Sequence, residues 1–231
     1  AKRHKFAQLS GFVNGVLRNI ARNIDSVQFD TLSIRYSMPQ WIVDRFVAAY
    51  GEKKAEEIFK AFHSKSTISI RTNLTRCTPD ELRVMLEAEG VTVTAVDELN
   101  YAFVISGFDY LNGLQSFRDG LFYVQDISSM LVAQTAAPKK GDYVIDVCAA
   151  PGGKSTHIAE LLQGSGHVLA RDLTDNKVDM IEENIERHGL NNMSAEVWDA
   201  TVFDADSAGK ADILICDLPC SGLGVLGRKK D

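Results

Sequence analysis

Cysteine is scarce in this sequence, which has only four cysteines in 231 residues and no CxxC pair among them. A disulfide framework and a zinc knuckle both need several cysteines at short spacings, so this scarcity argues against both. We expect reduced thiols, no bound metal ion and an intracellular protein.

Long apolar runs are also missing. No stretch approaches the roughly 18 to 20 apolar residues that a membrane helix needs, and the N-terminus has no signal-peptide core. Internal repeats and low-complexity tracts are absent as well. Since 45% of the residues are hydrophobic, the chain has enough apolar side chains for one large or two modest domains. We expect a soluble, cytoplasmic, monomeric protein.

Charge is unevenly distributed along the chain, although its net value is only -6. Residues 1–76 carry 13 Lys and Arg against 6 Asp and Glu, a balance of +7, whereas residues 77–231 have a balance of -13. Because phosphate attraction depends on local potential, a basic front part favours a nucleic acid partner at that end. A solvated basic helix surface explains the same pattern, and both interpretations stay open.

Residues 1–65 have the pattern of a helical region. Apolar residues recur at spacings of three and four in residues 6–24 and again in residues 40–62, as in amphipathic helices.

Residues 66–125 have a mixed pattern of strands and a helix. Ile68 and Ile70 begin a strand, Thr78 and Pro79 start a helix that ends before Gly90, and residues 91–96 and 101–105 follow as strands. We predict a small α+β unit there.

Strands and helices alternate in residues 126–231. The predicted strands are residues 143–147, 167–170, 194–198 and 212–216, and the predicted helices are residues 155–162 and 177–188. Such alternation is typical of a doubly wound parallel sheet, so the fold class is α/β.

Residues 146–154, with the sequence DVCAAPGGK, follow the first of these strands. Small residues and two glycines let the backbone approach a ligand closely, and the next helix offers free N–H groups at its start. This motif predicts a cofactor-binding loop. A P-loop ending in Gly153-Lys154-Ser155 is the rival interpretation, but Cys148 stands where its first glycine belongs. A purely structural tight turn is the third.

Aspartates recur after all four strands, at Asp146, Asp172, Asp199 and Asp217. A carboxylate after the second strand can accept two hydrogen bonds from a ribose diol, and one after the third can accept from an adenine amine. Each of these aspartates alone would equally suit a helix cap or an exposed loop. Their regular recurrence favours binding.

Cys220 follows Pro219 just after the fourth strand, which places its thiol in a rigid loop at the ligand-facing edge of the sheet. We therefore predict that Cys220 is a reactive thiol. Cys148 and Cys216 lie in apolar strand ends, and we expect both to be small core residues.

Residues 146–154 and 217–222 together resemble the first and fourth motifs of the Sun family of RNA (cytosine-5) methyltransferases. Residues 120–126 resemble the start of that family's methyltransferase domain. Residues 12–18 resemble the end of the NusB-like RNA-binding domain found in its bacterial 16S ribosomal RNA branch. The resemblance covers nearly the whole chain and implies a Rossmann-like S-adenosylmethionine-dependent methyltransferase fold, incomplete at its C-terminal end.

By this resemblance, the chain binds S-adenosylmethionine and acts on 16S ribosomal RNA. The implied cofactor-binding residues are Cys148, Ala149, Ala150, Pro151, Gly152, Gly153, Lys154, Asp172, Asp199 and Asp217. Asp172 would hold the ribose, Asp199 the adenine and Asp217 the methionine amino group.

The implied chemistry uses two cysteines. One thiolate adds to C6 of cytosine and activates C5 toward the methyl group, and a second assists release of the covalent product. Cys220 matches the assisting cysteine, whereas the attacking one belongs to a Thr-Cys motif that does not occur after Cys220. We therefore expect a fragment that is inactive alone. A nucleotide-binding ATPase and a non-catalytic RNA-binding module are the alternatives.

Overall fold

The structure, a computed structural model, describes residues 7–26, 29–63, 67–223 and 226. Its contacts divide the chain into two compact units, one formed by residues 1–65 with 222–231 and the other by residues 66–221. The domain boundaries drawn from the sequence remain predictions. Among the described residues, none of the helices has the length and apolar character needed to cross a membrane.

The first unit is helical. Its helices are α1 (Ser10–Asn23), α2 (Leu32–Arg35), α3 (Gln40–Tyr50) and α4 (Glu52–Phe62), with single 3-10 turns at Ala7–Leu9 and Ile24–Ser26. The helical stretch predicted over residues 40–62 is confirmed, but it consists of two helices. Gly51 interrupts it with φ +77° and ψ 158°, a conformation that belongs almost entirely to glycine.

Helix α1 has the predicted apolar stripe, but none of its residues is buried. Phe12 is 72% exposed and Leu17 is 57% exposed. Phe6, where the sequence pattern begins, lies outside the described residues. The core of this unit lies instead between α3 and α4, where Ile42, Val43 and Phe59 are buried.

The second unit begins with a four-stranded antiparallel sheet in the order β2-β3-β1-β4. Its elements are β1 (Ile68–Thr72), α5 (Pro79–Ala88), β2 (Thr92–Val96), β3 (Leu99–Ser106), a 3-10 turn (Leu111–Gly113), α6 (Gln115–Arg118) and β4 (Phe122–Val124). Helix α5 begins as the sequence predicts. The Thr78 hydroxyl accepts from the Glu81 N–H, and the Glu81 carboxylate accepts from the Thr78 N–H, which is a complete capping box.

The parallel sheet follows, in the order β7-β6-β5-β8. Its elements are α7 (Ile127–Ala136), β5 (Tyr143–Asp146), α8 (Gly153–Leu161), β6 (His167–Asp172), α9 (Asp175–His188), β7 (Met193–Val197) and β8 (Ile213–Ile215). All four predicted strands are present. Every described pair in this sheet is parallel, so the α/β prediction holds.

Helix α7 joins the two sheets of this unit. Its Met130 is fully buried against Tyr101 and Leu99 of the antiparallel sheet, and its Ala133 belongs to the core of the parallel sheet. Arg71 of β1 makes a second link, because its buried guanidinium pairs with Glu160 and donates to Thr156, both on α8. The antiparallel sheet is thus anchored on the helix that begins at the predicted cofactor loop.

Candidate cofactor site and cysteine loop

The four aspartates singled out in the sequence lie along one edge of the parallel sheet. Asp146 and Asp172 are the last residues of β5 and β6, and Asp199 and Asp217 each follow a strand by two residues. Because all four strands run in the same direction, their carboxyl ends meet at this edge. The sheet order places the aspartates in the sequence Asp199, Asp172, Asp146, Asp217.

Residues 147–152 form a tight loop held by main-chain hydrogen bonds to both neighbouring strands. The Val147 N–H donates to the Ile215 carbonyl (3.1 Å), and the Ala149 N–H donates to the Arg171 carbonyl (2.8 Å). Gly152 ends the loop with φ +100°, in the left-handed region. As the N-cap of α8 it provides no side-chain hydrogen bond, so the first-turn N–H groups of α8 are left for a ligand.

The Asp146 side chain connects this loop to α8 through hydrogen bonds. It is 1% exposed and accepts a hydrogen bond from the Ser155 hydroxyl (2.6 Å). Burial raises the pKa of its carboxyl, although the hydrogen bonds from Ser155 and Cys148 oppose the shift. Because the Ser155 hydroxyl donates to Asp146, it is not available to bind magnesium as a P-loop serine does. This contact counts against the ATPase alternative.

Lys154 and Asp217 form a direct ion pair, and both residues line a cavity of about 190 Å³. The Asp217 side chain is 59% exposed and that of Lys154 is 19% exposed. The cavity is lined by the loop and by residues of β4, β5, α7, α8 and the segments that follow β4 and β8: Tyr123, Val124, Gln125, Asp126, Ser129, Asp146, Cys148, Ala149, Ala150, Pro151, Gly153, Lys154 and Asp217. A neighbouring pair of opposite charges suits a ligand that carries both an ammonium and a carboxylate group.

Asp172 is 3% exposed, and its carboxylate accepts hydrogen bonds from the N–H groups of Ala150 (3.0 Å) and Leu173 (2.8 Å) and from Lys177 Nζ (2.8 Å). Burial pushes its pKa up, but these hydrogen bonds outweigh burial and hold the pKa below its ordinary value. Asp172 is therefore ionised at neutral pH and fixed against the loop.

Asp199 is exposed at the end of β7. Its carboxylate accepts from the N–H (2.9 Å) and the hydroxyl (2.7 Å) of Thr201, and these bonds lower its pKa. The neighbouring Trp198 N–H donates to the Asp172 carbonyl (2.9 Å), so the ends of β6 and β7 are joined. The structure thus brings Asp172 and Asp199 to adjacent strand ends.

The cysteines occupy different environments. Cys220 is exposed in the loop after β8, three residues from Asp217. The expectation that Cys216 is a core residue is wrong, because Cys216 is exposed. It follows β8, which pairs within the described sheet with β5 alone and leaves its other side open. Cys148 is half-buried, and burial followed by the nearby Asp172 carboxylate raises the pKa of its thiol.

Sequence reasoning missed several residues that shape this site. Tyr123 and Asn184 both donate to the Pro151 carbonyl, and Lys177 pairs with Asp172. Tyr123 lies inside the stretch 120–126 that carries part of the family resemblance, but that resemblance gives it no role. For Asn184, which lies 33 residues from Pro151, no local pattern signals the contact.

No group of three or more His, Cys, Asp and Glu side chains within the described ranges has a geometry that would hold a metal ion.

Two family models match the chain. Residues 133–231 match the model of the 16S rRNA methyltransferase RsmB/F, and residues 38–108 match the ferredoxin-like domain of RsmF/B-like methyltransferases. A relative from Bacillus subtilis (strain 168), a probable ribosomal RNA small subunit methyltransferase B, is 37% identical over 231 residues. This match covers 96% of the chain and 51% of the relative, so the chain spans about half the length of that curated relative.

Solved structures agree with the fold. The crystal structure of PH0851 matches with a TM-score of 0.79 and 29% identity, covering 85% of this chain and 44% of that one. NSun6 from Pyrococcus horikoshii, solved with SFG, matches with a TM-score of 0.72 and 22% identity, covering 80% of this chain and 71% of that one. At this lower identity the likeness concerns the fold alone. The predicted Rossmann-like methyltransferase fold is confirmed.

Proposed function

Because the chain belongs to the RsmB/F family of 16S rRNA methyltransferases, we propose that the whole protein methylates C5 of a cytidine in 16S ribosomal RNA. Proteins of this family use S-adenosylmethionine as the methyl donor. The observation that carries the proposal is the carboxyl edge of the parallel sheet, where loop residues 148–151, Lys154 and Asp217 line one cavity. Cys220 follows Asp217 by three residues. In this proposal the protein acts in the cytoplasm, as a monomer and without a metal ion.

The charges of the cavity fit the methionine end of S-adenosylmethionine. That end carries an ammonium and a carboxylate group, and the cavity presents Asp217 and Lys154, which are their complements. Binding would exchange the Lys154–Asp217 pair for two pairs with the ligand. The close main-chain loop and the uncapped start of α8 give the rest of the contact surface.

Asp172 and Asp199 are proposed to hold the ribose and the adenine. The Asp172 carboxylate has about four acceptor sites, and its three donors leave room for a ribose hydroxyl. The side chain of Lys177 is 50% exposed, so it can swing away and free a second site. Asp199 lies on the adjacent strand end, where an exposed carboxylate can accept from the adenine amine.

S-adenosylmethionine, when bound, supplies an electrophilic methyl group. The chain's own contribution at the target base is Cys220, whose exposed thiol faces solvent in the loop after β8 and is therefore accessible to RNA. We assign Cys220 to assisting release of the covalent product. In that step the C5 proton passes to a base, its electron pair re-forms the C5–C6 double bond, and the C6–sulfur bond breaks so that the attacking thiolate departs. In this proposal the attacking thiol belongs to a Thr-Cys motif that follows Cys220 in the order of the family's motifs, and residues 221–231 do not contain that motif.

Deletion of the gene tests the activity. Nucleosides from 16S ribosomal RNA of the deletion strain, analysed by mass spectrometry, should lack one 5-methylcytidine that returns on complementation with the wild-type gene. Complementation with the Asp217→Asn variant should restore it poorly. If the deletion strain retained every methylcytidine, the proposal would be overturned.

Calorimetry on the protein expressed from its complete reading frame tests the cofactor site. Lys154→Ala and Asp217→Asn should each weaken S-adenosylmethionine binding roughly 10- to 100-fold, because each removes a charge-assisted contact. Lys140→Ala is the matched control, since Lys140 is exposed in the turn before β5, at the opposite edge of the sheet. Tighter binding of Mg-ATP than of S-adenosylmethionine would favour the ATPase alternative instead.

A further inference from the structure

The carbonyl oxygen of Pro151, in the middle of the cofactor loop, accepts two side-chain hydrogen bonds from different parts of the second unit. The Tyr123 hydroxyl of β4 donates at 2.9 Å, and Asn184 Nδ2 of α9 donates at 2.9 Å. The loop is therefore held by an antiparallel strand on one side and by a helix of the parallel sheet on the other.

Tyr123 is built into this position. It is 5% exposed, and a Cβ added to Gly153 would come within 3.3 Å of its ring, so the ring lies directly against the first residue of α8. Burial raises the pKa of Tyr123 to about 12, although Arg187 and Arg71 oppose the shift. The hydroxyl consequently keeps its proton and remains a donor throughout the neutral pH range.

Asn184 is oriented by a neighbour. Its Oδ1 accepts a hydrogen bond from Arg187 Nη2 (2.5 Å), and the Arg187 guanidinium lies over the Phe117 ring at 4.2 Å. Because Arg187 can only donate, the amide oxygen must face it, which turns the amide nitrogen toward Pro151. The contact with Arg187 thus determines which way the Asn184 amide faces.

We propose that Tyr123 and Asn184 are positioning residues for the methyl donor, which set the backbone N–H groups of Gly153 and Lys154 by holding the Pro151 carbonyl. This inference rests on the proposed function. Neither side chain needs to touch a reacting atom, so their effect should fall on cofactor affinity and not on the chemical step. It also gives the antiparallel sheet a direct part in cofactor binding.

The variants Tyr123→Phe and Asn184→Ala, made in the protein expressed from its complete reading frame, separate this role from general support of the fold. Each leaves one donor to the Pro151 carbonyl, so we expect a two- to tenfold rise in the dissociation constant for S-adenosylmethionine, the range of roughly one hydrogen bond. The double variant leaves that carbonyl without either donor. Its loss of affinity should exceed the product of the two single losses, because the two residues act on one atom.

The turnover number at saturating S-adenosylmethionine and the KM for RNA should stay within twofold of the wild-type values in both single variants. Tyr110→Phe is the matched control, since Tyr110 lies in the same unit and is 67% exposed. Unchanged affinity in Tyr123→Phe and Asn184→Ala would overturn the inference alone. So would a parallel fall in affinity, turnover number and melting temperature, which indicates a structural role. A folded wild-type protein that binds no S-adenosylmethionine would overturn the proposed function as well.

Discussion

His157 of α8 is buried, with its ring 5.3 Å from that of Tyr101 in an edge-on arrangement. Its Nδ1 has no hydrogen-bond partner among the described residues. Burial, together with the nearby Arg71 cation, lowers its pKa to about 2, so the folded protein keeps this imidazole neutral. The unfolded chain, in contrast, takes up a proton below its ordinary pKa of about 6.5.

This difference in the protonation of His157 predicts that the folded protein loses stability in acid. The stability that neutral His157 contributes is fully present above pH 6.5 and is lost as pH falls, with a slope of about 1.4 kcal/mol per pH unit. His157→Phe should remove that part of the slope between pH 6 and 4. Above pH 7 the two curves should run parallel, which provides the internal control. Urea unfolding followed by Trp198 fluorescence in a Trp41→Phe background measures this. Equal slopes at acid pH would contradict the prediction.

At the scale of the element, local signals account for what the sequence predicts well. The capping residues Thr78 and Glu81 and the buried apolar run of β5 identify their elements without help from distant residues. Helix α7 and strand β4 were not predicted. Helix α7 packs against both sheets through small and medium residues such as Ala133, so its apolar residues do not form a single stripe, and β4 has only three residues.

The break between α3 and α4 was also not predicted, because Gly51 can continue a helix at modest cost as well as interrupt one. In its observed conformation an alanine is strained even though an added Cβ would meet no atom within 4 Å. Gly51→Ala should therefore lower the free energy of unfolding of the first unit by about 1 to 3 kcal/mol.

Gly15→Ala is the matched control for this variant. Gly15 lies inside α1, where an added Cβ also meets no atom within 4 Å, and alanine there should leave stability unchanged or raise it by up to about 1 kcal/mol. Urea unfolding followed by circular dichroism measures the free energy of unfolding of both variants. A Gly51→Ala protein as stable as Gly15→Ala would show that the backbone at residue 51 is not constrained.

At the scale of the molecule, the second unit depends on contacts between residues far apart in sequence. Arg71 is 1% exposed and forms its ion pair with Glu160, 89 residues away. It also donates to Gln125 Oε1 at 2.8 Å. Burial raises the pKa of Glu160 to about 7, with Arg71 acting in the opposite direction. Contacts of this kind have no local sequence signal, which explains why the ends of the strands were predictable and the residues that support loop 147–152 were not.

The Arg71–Glu160 pair should matter most when only one partner is removed. Arg71→Met should destabilise the second unit by about 3 to 5 kcal/mol, because it leaves a buried carboxyl group unpaired, whereas the Arg71→Met/Glu160→Met double variant should recover most of that loss. Urea unfolding followed by Trp198 fluorescence measures the free energy of unfolding of the single and the double variant.

Arg35→Ala is the control for an exposed pair, and because Arg35 lies in the helical first unit its unfolding is followed by circular dichroism. The Arg35–Glu56 side chains are 47% and 39% exposed, so its loss should cost less than about 1 kcal/mol. If Arg71→Met cost no more than Arg35→Ala, the buried pair would contribute nothing to the docking of the antiparallel sheet on α8.

The position of the four aspartates along the sheet edge allows the segments that connect the strands to change in length. All four lie at or just after strand ends, so the segments that connect the strands on the opposite edge do not position them. Between β7 and β8, Asp204 is fixed by Arg171, but the turn around Gly209 is exposed, and a Cβ added there meets no atom within 4 Å. Insertions at that turn can accumulate over evolution while the edge that carries the four aspartates keeps its geometry.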